Sequence, residues 1–176
     1  MADRRSAPEP DPGRDAGVER IYREHRLGMV RLASLLVDDR ETAEDVAQDA
    51  FAALHRRWSS LATEDAAIGY LRTSVVNGAR SVLRRRRTVR RNPQPGADVL
   101  TVAPADGRLL LAEEHREVIA ALRRLPARQR EVIVLRYWSE LSEPEIASTL
   151  GVSIGSVKSS ASRGRDAIAA ILGGAA

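Results

Sequence analysis

Lys158 is the only lysine in the chain, and every other permanently charged cation is an arginine. It stands in "GVSIGSVKSSASRGR", among Ser156, Ser159 and Ser162 and ahead of Arg163 and Arg165. Read as a helix, this stretch brings Ile154, Val157, Ala161, Gly164, Ile168 and Ile171 onto one face at three- and four-residue steps. The opposite face carries Ser156, Lys158, Ser159, Ser162 and Arg163. Short polar side chains let a helix sit deep in a DNA major groove, where the cations reach phosphates or guanine edges. Taken alone, the same helix reads first as a solvated element at the end of a bundle.

Bond-making chemistry has little to work with. His25, His55 and His115 lie far apart, and none has an HExxH-type partner. His25 falls on an apolar stripe and reads as packed. "GVSIGS" lacks the lysine of a phosphate-binding loop and follows a helix rather than a strand. With no cysteine, disulfides, thiolate metal sites and a thiol redox switch are excluded. No catalytic constellation, metal set or cofactor site is expected, and an enzyme is the reading that loses.

The elements that position Lys158 are legible. Two short helices joined by a glycine-containing turn form a helix-turn-helix. The first runs Glu143–Leu150, the turn is "GVS", and the second starts near Ile154. Ser142 with Glu145 makes a capping box, and Pro144 sits in the first turn, where its missing N–H costs nothing. Gly151 supplies a left-handed stop, and Ser153 can cap the second helix, which continues to about Leu172.

The whole chain has helical composition. It has 176 residues, 43% hydrophobic but only 3% aromatic, so its cores must be built from Ala, Leu, Val and Ile. No apolar run approaches the ~20 residues of a membrane span, and "MADRRSAPEPDPGRDAG" has no apolar segment of a secretory signal. Residues 1–17 read as a disordered tail. Val18, Ile21, Tyr22, His25, Met29, Leu32 and Leu36 give a first helix. Asp38 with Glu41 looks like the N-cap pair of a second, striped by Val46, Ala50, Leu54 and Trp58. A third carries Ile68, Leu71, Val75, Ala79 and Val82 and runs into Arg84–Arg87. Residues 88–108, with three prolines, read as a flexible linker, and a second helical group occupies 109–172, with no further domain expected after it.

Charge is segregated although the net is only +4. Six acids crowd Asp38–Asp49 against Arg40 alone, whereas Ala66–Ala97 holds eight arginines and no acid. That suggests two partner surfaces of opposite sign, the basic one a candidate for phosphate. Either run taken singly is an ordinary solvated face.

"ETAEDVAQDAFAALHRRW" and "YLRTSVVNGARSVLRRRR" resemble the core-binding and promoter-melting segments of bacterial sigma factors. "LPARQREVIVLRYWSELSEPEIASTLGVSIGSVKSSASRGRDAI" resembles their promoter-binding C-terminal domain. In this order, across about residues 18–172, they are similar to the extracytoplasmic-function (ECF, group 4) class of the sigma-70 family, and to its small actinobacterial members. The resemblance implies an all-α chain of two small helical domains: a three- or four-helix bundle over 18–87 and a helix-turn-helix domain over 109–172.

It also implies partners. Core RNA polymerase would be met through its β′ clamp helices and β flap, with Glu44, Asp45, Gln48, Asp49 and Phe51, and neighbouring Arg56, on the clamp side. Acids and an amide on one helix suit a basic partner helix. Melted −10 DNA would lie against Asn77, Arg80, Arg84 and Arg85, with Arg86 and Arg87 continuing the track, beside the loop Ser59–Asp65. Asn77 read alone is a helix-surface amide, and aromatic stacking is poorly supplied: only Trp58 and Tyr70 lie close by in sequence, and either fits the core as well. Duplex −35 DNA would meet Lys158, Ser159, Ser162 and Arg163, and Ser156 shares their face. Many members carry arginine where this chain has Ser160, which predicts a missing contact.

The resemblance further implies a cytoplasmic protein, monomeric when free and held in many members by an anti-sigma factor. A stand-alone regulator with a helix-turn-helix output is the rival. It would need a sensor or dimerisation domain where residues 18–87 instead show an acidic helix and an arginine-rich one. A purely structural bundle leaves the charge segregation unexplained.

Overall fold

The computed structural model describes residues 12–91 and 116–173, and every described element is helical. The first half is α1 (Pro12–Leu36), α2 (Arg40–Arg57), a single 3-10 turn (Trp58–Ser60) and α3 (Glu64–Arg91). The second is α4 (Arg116–Arg124), α5 (Ala127–Tyr137), α6 (Glu143–Leu150) and α7 (Ile154–Gly173).

Helix α1 starts at Pro12, within the stretch expected as tail. Proline's fixed φ suits a first helical position, and Asp15 in the first turn favours the positive end of the helix dipole. Residues 1–11 lie outside the described residues. The cap of α2 is Asp39, not Asp38. Asp39 has extended backbone (φ −137°, ψ 157°), and its carboxylate accepts the Thr42 N–H at 2.8 Å. Asp38 stands one residue too early and reaches Arg130 instead, at 3.8 Å.

Ile21, Leu32, Leu54, Leu71 and Val75 are fully buried and knit α1, α2 and α3 together. Truncating any one of these leucines to alanine would cost roughly 2–5 kcal/mol. The expected stripes hold at their centres and fray at their ends. Tyr22 is half-exposed, and Val18, His25, Trp58, Ile68 and Val82 are partly covered. Helix α3 passes Arg87 and continues to Arg91, because no breaker occurs before Pro93.

In the second half Val132, Leu135, Ile146 and Val157 form the centre. The capping box of Ser142 and Glu145 is present in both directions, with Pro144 in the first turn, and Gly151 is left-handed at φ 64°. Ser153 Oγ accepts the Ser156 N–H at 3.2 Å and so caps α7. Val157, Ala161 and Gly164 face inward as expected, and Ile168 and Ile171 do so partly. Ile154 does not: as the first residue of α7 it lies a turn short of the buried part and is 43% exposed. The stretch 92–115, which holds most of the expected linker and the start of the second helical group, lies outside the described residues.

The two halves touch. Helix α1 packs on α4 and α5, and α3 packs on α6, so the buried apolar residues form one continuous cluster.

Candidate functional site

Three surfaces carry the candidate residues. The first is α7. Ser156, Lys158, Ser159, Ser162 and Arg163 are all exposed on the face opposite Val157, Ala161 and Gly164. Arg163 donates to Ser159 Oγ at 3.4 Å. Lys158 Nζ lies 3.8 Å from Glu143, whose other oxygen accepts from Arg136 at 3.4 Å, so an acid on α6 steadies the lysine without covering it. Ser160 is only 4% exposed. The serine at the position of the family's arginine is therefore interior, and no gap falls in the exposed polar row.

The second surface is α2. Asp45, Gln48 and Asp49 are exposed, and Glu44 is half-buried with Arg40 bonded to it at 2.7 Å. Glu44 and Gln48, one turn apart, line a shallow recess with Tyr22 and Arg26 of α1. Phe51 is set apart from these. It is 5% exposed and packs edge-on to Tyr22, with ring centroids 4.9 Å apart, so it supports the surface rather than forming it. Arg56 is exposed near the end of α2.

The third surface is α3, whose cations divide into three kinds. Arg84, Arg85 and Arg87 are exposed. Arg86 is a strut: it donates to Asp39 at 2.8 Å and to Thr42 Oγ1 at 2.7 Å, tying α3 to the start of α2. Burial pushes the Asp39 carboxyl up, but the Thr42 N–H, the Arg86 guanidinium and the Thr42 hydroxyl outweigh it and leave it below its ordinary value. Arg80 is neither exposed nor a strut within its own half. Its Nε and Nη2 donate to the two oxygens of Glu131 on α5, both at 2.7 Å. Its Nη1 reaches Asn77 Oδ1 at 3.4 Å and the carbonyl of Leu150 at 3.5 Å. The fork on Glu131 raises the Arg80 pKa above its ordinary value.

Arg130, the neighbour of Glu131, makes the opposite crossing. It donates to the Leu36 carbonyl at the end of α1, at 3.3 Å, and to Arg123 O. Burial, together with the nearby Arg123 and Arg87, lowers its pKa despite Asp38 and Glu131.

Trp58 and Tyr70 both pack partly against the core, and Arg57 lies over the Tyr70 ring at 5.9 Å. The loop at Ser59–Asp65 is pinned at its end by Thr63, which accepts the Ala66 N–H, and by Arg20, which bonds Glu64 at 2.6 Å. The fold also brings His25 near two carboxylates that its sequence neighbourhood did not supply together. Glu24, His25 and Glu64 have ligand atoms within 4.8 Å of one another, but the Arg20 guanidinium already bonds Glu64.

Sequence reasoning missed Glu131 and Arg130. One signal was available: Glu131 sits three and four residues before the buried Val134 and Leu135, in register with a core face. An acid there requires a partner.

Comparison with known proteins gives the family. The sequence pattern of the family described as sigma-70 region 2 matches residues 21–89, and that of sigma-70, region 4 matches residues 115–168. The chain is 34% identical over 155 residues to the ECF RNA polymerase sigma factor SigM of Mycobacterium tuberculosis, covering 88% of this chain and 76% of that protein. It is 32% identical over 148 residues to the RNA polymerase sigma-E factor of Streptomyces coelicolor, covering 82% and 80%. Among solved structures it is similar to the sigma factor RpoE of Bartonella quintana, determined in complex with the anti-sigma factor NepR. The TM-score is 0.70 at 25% identity, over 88% of this chain and 95% of that one. CnrH, solved in complex with the cytosolic domain of CnrY, shares the fold at a TM-score of 0.67 and 22% identity, over 92% and 91%. With region 2 followed by region 4 and curated relatives matched over most of its length, the chain belongs to the ECF class of the sigma-70 family, non-enzymatic RNA polymerase sigma factors that direct transcription initiation.

Proposed function

We propose that this sigma factor divides its work among its three surfaces. Residues 18–87 bind core polymerase and the melted −10 strand, residues 88–108 link, and residues 109–172 read the −35 duplex. Asp45, Gln48 and Asp49, with Glu44 beside them, meet the β′ clamp helices, and the C-terminal half meets the β flap. Arg80, Arg84 and Arg85, with Asn77, take the phosphates and bases of the single strand. Phosphate neutralisation gives such contacts their affinity. Lys158, Ser159, Ser162 and Arg163, with Ser156, face the −35 major groove.

The observation that carries this reading is the α7 surface. Its helix is capped by Ser153, preceded by a left-handed Gly151, and exposes Ser156, Lys158, Ser159, Ser162 and Arg163 on its outer face. We place its action in the cytoplasm with the polymerase; no helix among the described residues is long and apolar enough to cross a membrane. An anti-sigma factor is a further proposed partner, supported by the RpoE–NepR pair.

The test is promoter-directed transcription by core polymerase supplied with the wild type or with K158A/R163A. At about 1–3 kcal/mol for each of the two lost contacts, initiation at limiting protein should fall by at least roughly 30-fold. Unchanged initiation would remove α7 from the −35 site.

A further inference from the structure

Arg80 is assigned above to DNA, yet its donors are spent inside the protein. Nε and one Nη2 N–H go to Glu131, while Nη1 faces Asn77 Oδ1 and the Leu150 carbonyl. A guanidinium has five N–H groups, and a bidentate fork grips carboxylate and phosphate with the same geometry. Glu131 thus presents to Arg80 the same paired oxygens that a DNA phosphate would. Its side chain is 9% exposed, it lies in the middle of a packed helix, and Arg128 lies 3.2 Å from one of its oxygens. It is fixed in place rather than swung there by a mobile loop.

The crossing is reciprocal. Arg80 of the first half reaches the last carbonyl of α6, and Arg130 of the second half reaches the last carbonyl of α1. Helix C-termini leave such carbonyls unpaired and negative, so each arginine satisfies an exposed end of the other half.

We propose that Glu131 is a built-in competitor for the −10 strand, closing the free chain by occupying the Arg80 fork that DNA phosphate takes when the halves separate on polymerase. This rests on the reading of Arg80 as a −10 contact. Because the competitor is tethered, it acts at an effective concentration of order millimolar, enough to suppress weak single-strand binding by the free protein. Polymerase, by engaging the two halves apart, would shift the population to the open state. A cleft of about 220 Å³ between the halves is lined by Arg80, Arg86, Arg87 and Arg130 and by Asp38 and Glu131. Solvent therefore reaches the clasp, and salt should loosen it.

The chain has no cysteine, so two introduced ones can be labelled alone. Ala16→Cys and Ala170→Cys place dyes on exposed positions of opposite halves, away from the residues assigned to polymerase, to −10 DNA and to −35 DNA. Single-molecule energy transfer on the full chain reports closure. Anisotropy with a fluorescent single-stranded oligonucleotide reports access to Arg80. The wild type should show one short-distance population. E131Q should lengthen it and tighten oligonucleotide binding about 3- to 10-fold. The reciprocal exchange R80E/E131R should restore the short distance while leaving oligonucleotide binding weak.

E131Q with wild-type distance and wild-type oligonucleotide affinity would overturn the proposal. So would an opened chain with no gain in affinity, since the clasp would then not compete with DNA. Failure of the −10 assignment itself shows separately, as oligonucleotide binding by the opened chain that does not respond to R84A/R85A.

Discussion

One carboxylate on Asp39 caps α2, bonds the Thr42 hydroxyl at 2.8 Å and receives Arg86 at 2.8 Å. It is 5% exposed as a side chain, so removing it strands a guanidinium and a helix end together. Asp39→Ala should destabilise the fold by about 2–4 kcal/mol, combining a lost cap with a broken buried pair; urea unfolding followed by circular dichroism measures it. The pH dependence follows from the lowered Asp39 pKa. A carboxyl lowered by folding contributes stability above its unfolded pKa, about 3.9, and loses it as pH falls through its folded value. Wild-type stability should therefore fall below about pH 4, and Asp39→Asn should flatten that fall while lowering the neutral-pH plateau. An equally steep acid transition in the variant would remove Asp39 from this role. Asp38, with Glu41 three residues on, fits the capping box by its sequence, yet the cap falls at Asp39. Only the backbone angles at Asp39 decide between them. Phe51, expected on the clamp side, is buried for a related reason: it adjoins the buried Ala50, and its own burial depends on Tyr22 of another helix.

Helix α7 shows how an element aims a surface. Gly164 lets it lie close to α5; a Cβ built there would sit 2.8 Å from Ile133 Cγ1. Gly164→Val should cost about 1–3 kcal/mol through overpacking. It should also weaken −35 binding without touching a side chain proposed to meet DNA; an unchanged unfolding midpoint would mean that α5 and α7 can move apart freely. On the outer face, K158A/R163A should reduce the slope of log affinity against log salt for −35 duplex by about two, one for each phosphate-neutralising cation removed. A slope equal to wild type would mean that neither cation reaches a phosphate. This element was the most legible part of the chain. The box at Ser142 and Glu145, the left-handed Gly151 and the Ser153 cap are satisfied within a few residues of themselves, so periodicity and capping rules suffice. Ile154 departs because a stripe gives direction but not where the covering helices stop.

At the scale of the whole molecule, the two halves close on each other through contacts that span 51 and 94 positions, Arg80 to Glu131 and Arg130 to Leu36. No periodic pattern relates such residues. The charge segregation showed that α3 is basic and α2 acidic, but not that one α3 arginine is held by an acid of the other half. The proposed division of labour can be drawn from the sequence because the candidate residues of each surface lie on a single helix. It also makes the central claim separable: α2 should serve polymerase, and α7 should serve DNA. The most direct measurement is equilibrium binding of labelled full-length protein to core RNA polymerase from a related bacterium at moderate salt. Wild type should bind saturably, D45A/Q48A should bind at least about tenfold more weakly for the loss of roughly 1.4 kcal/mol or more, and K158A/R163A should match wild type. Binding insensitive to D45A/Q48A, or no polymerase binding together with tight duplex binding by the chain alone, would contradict the account.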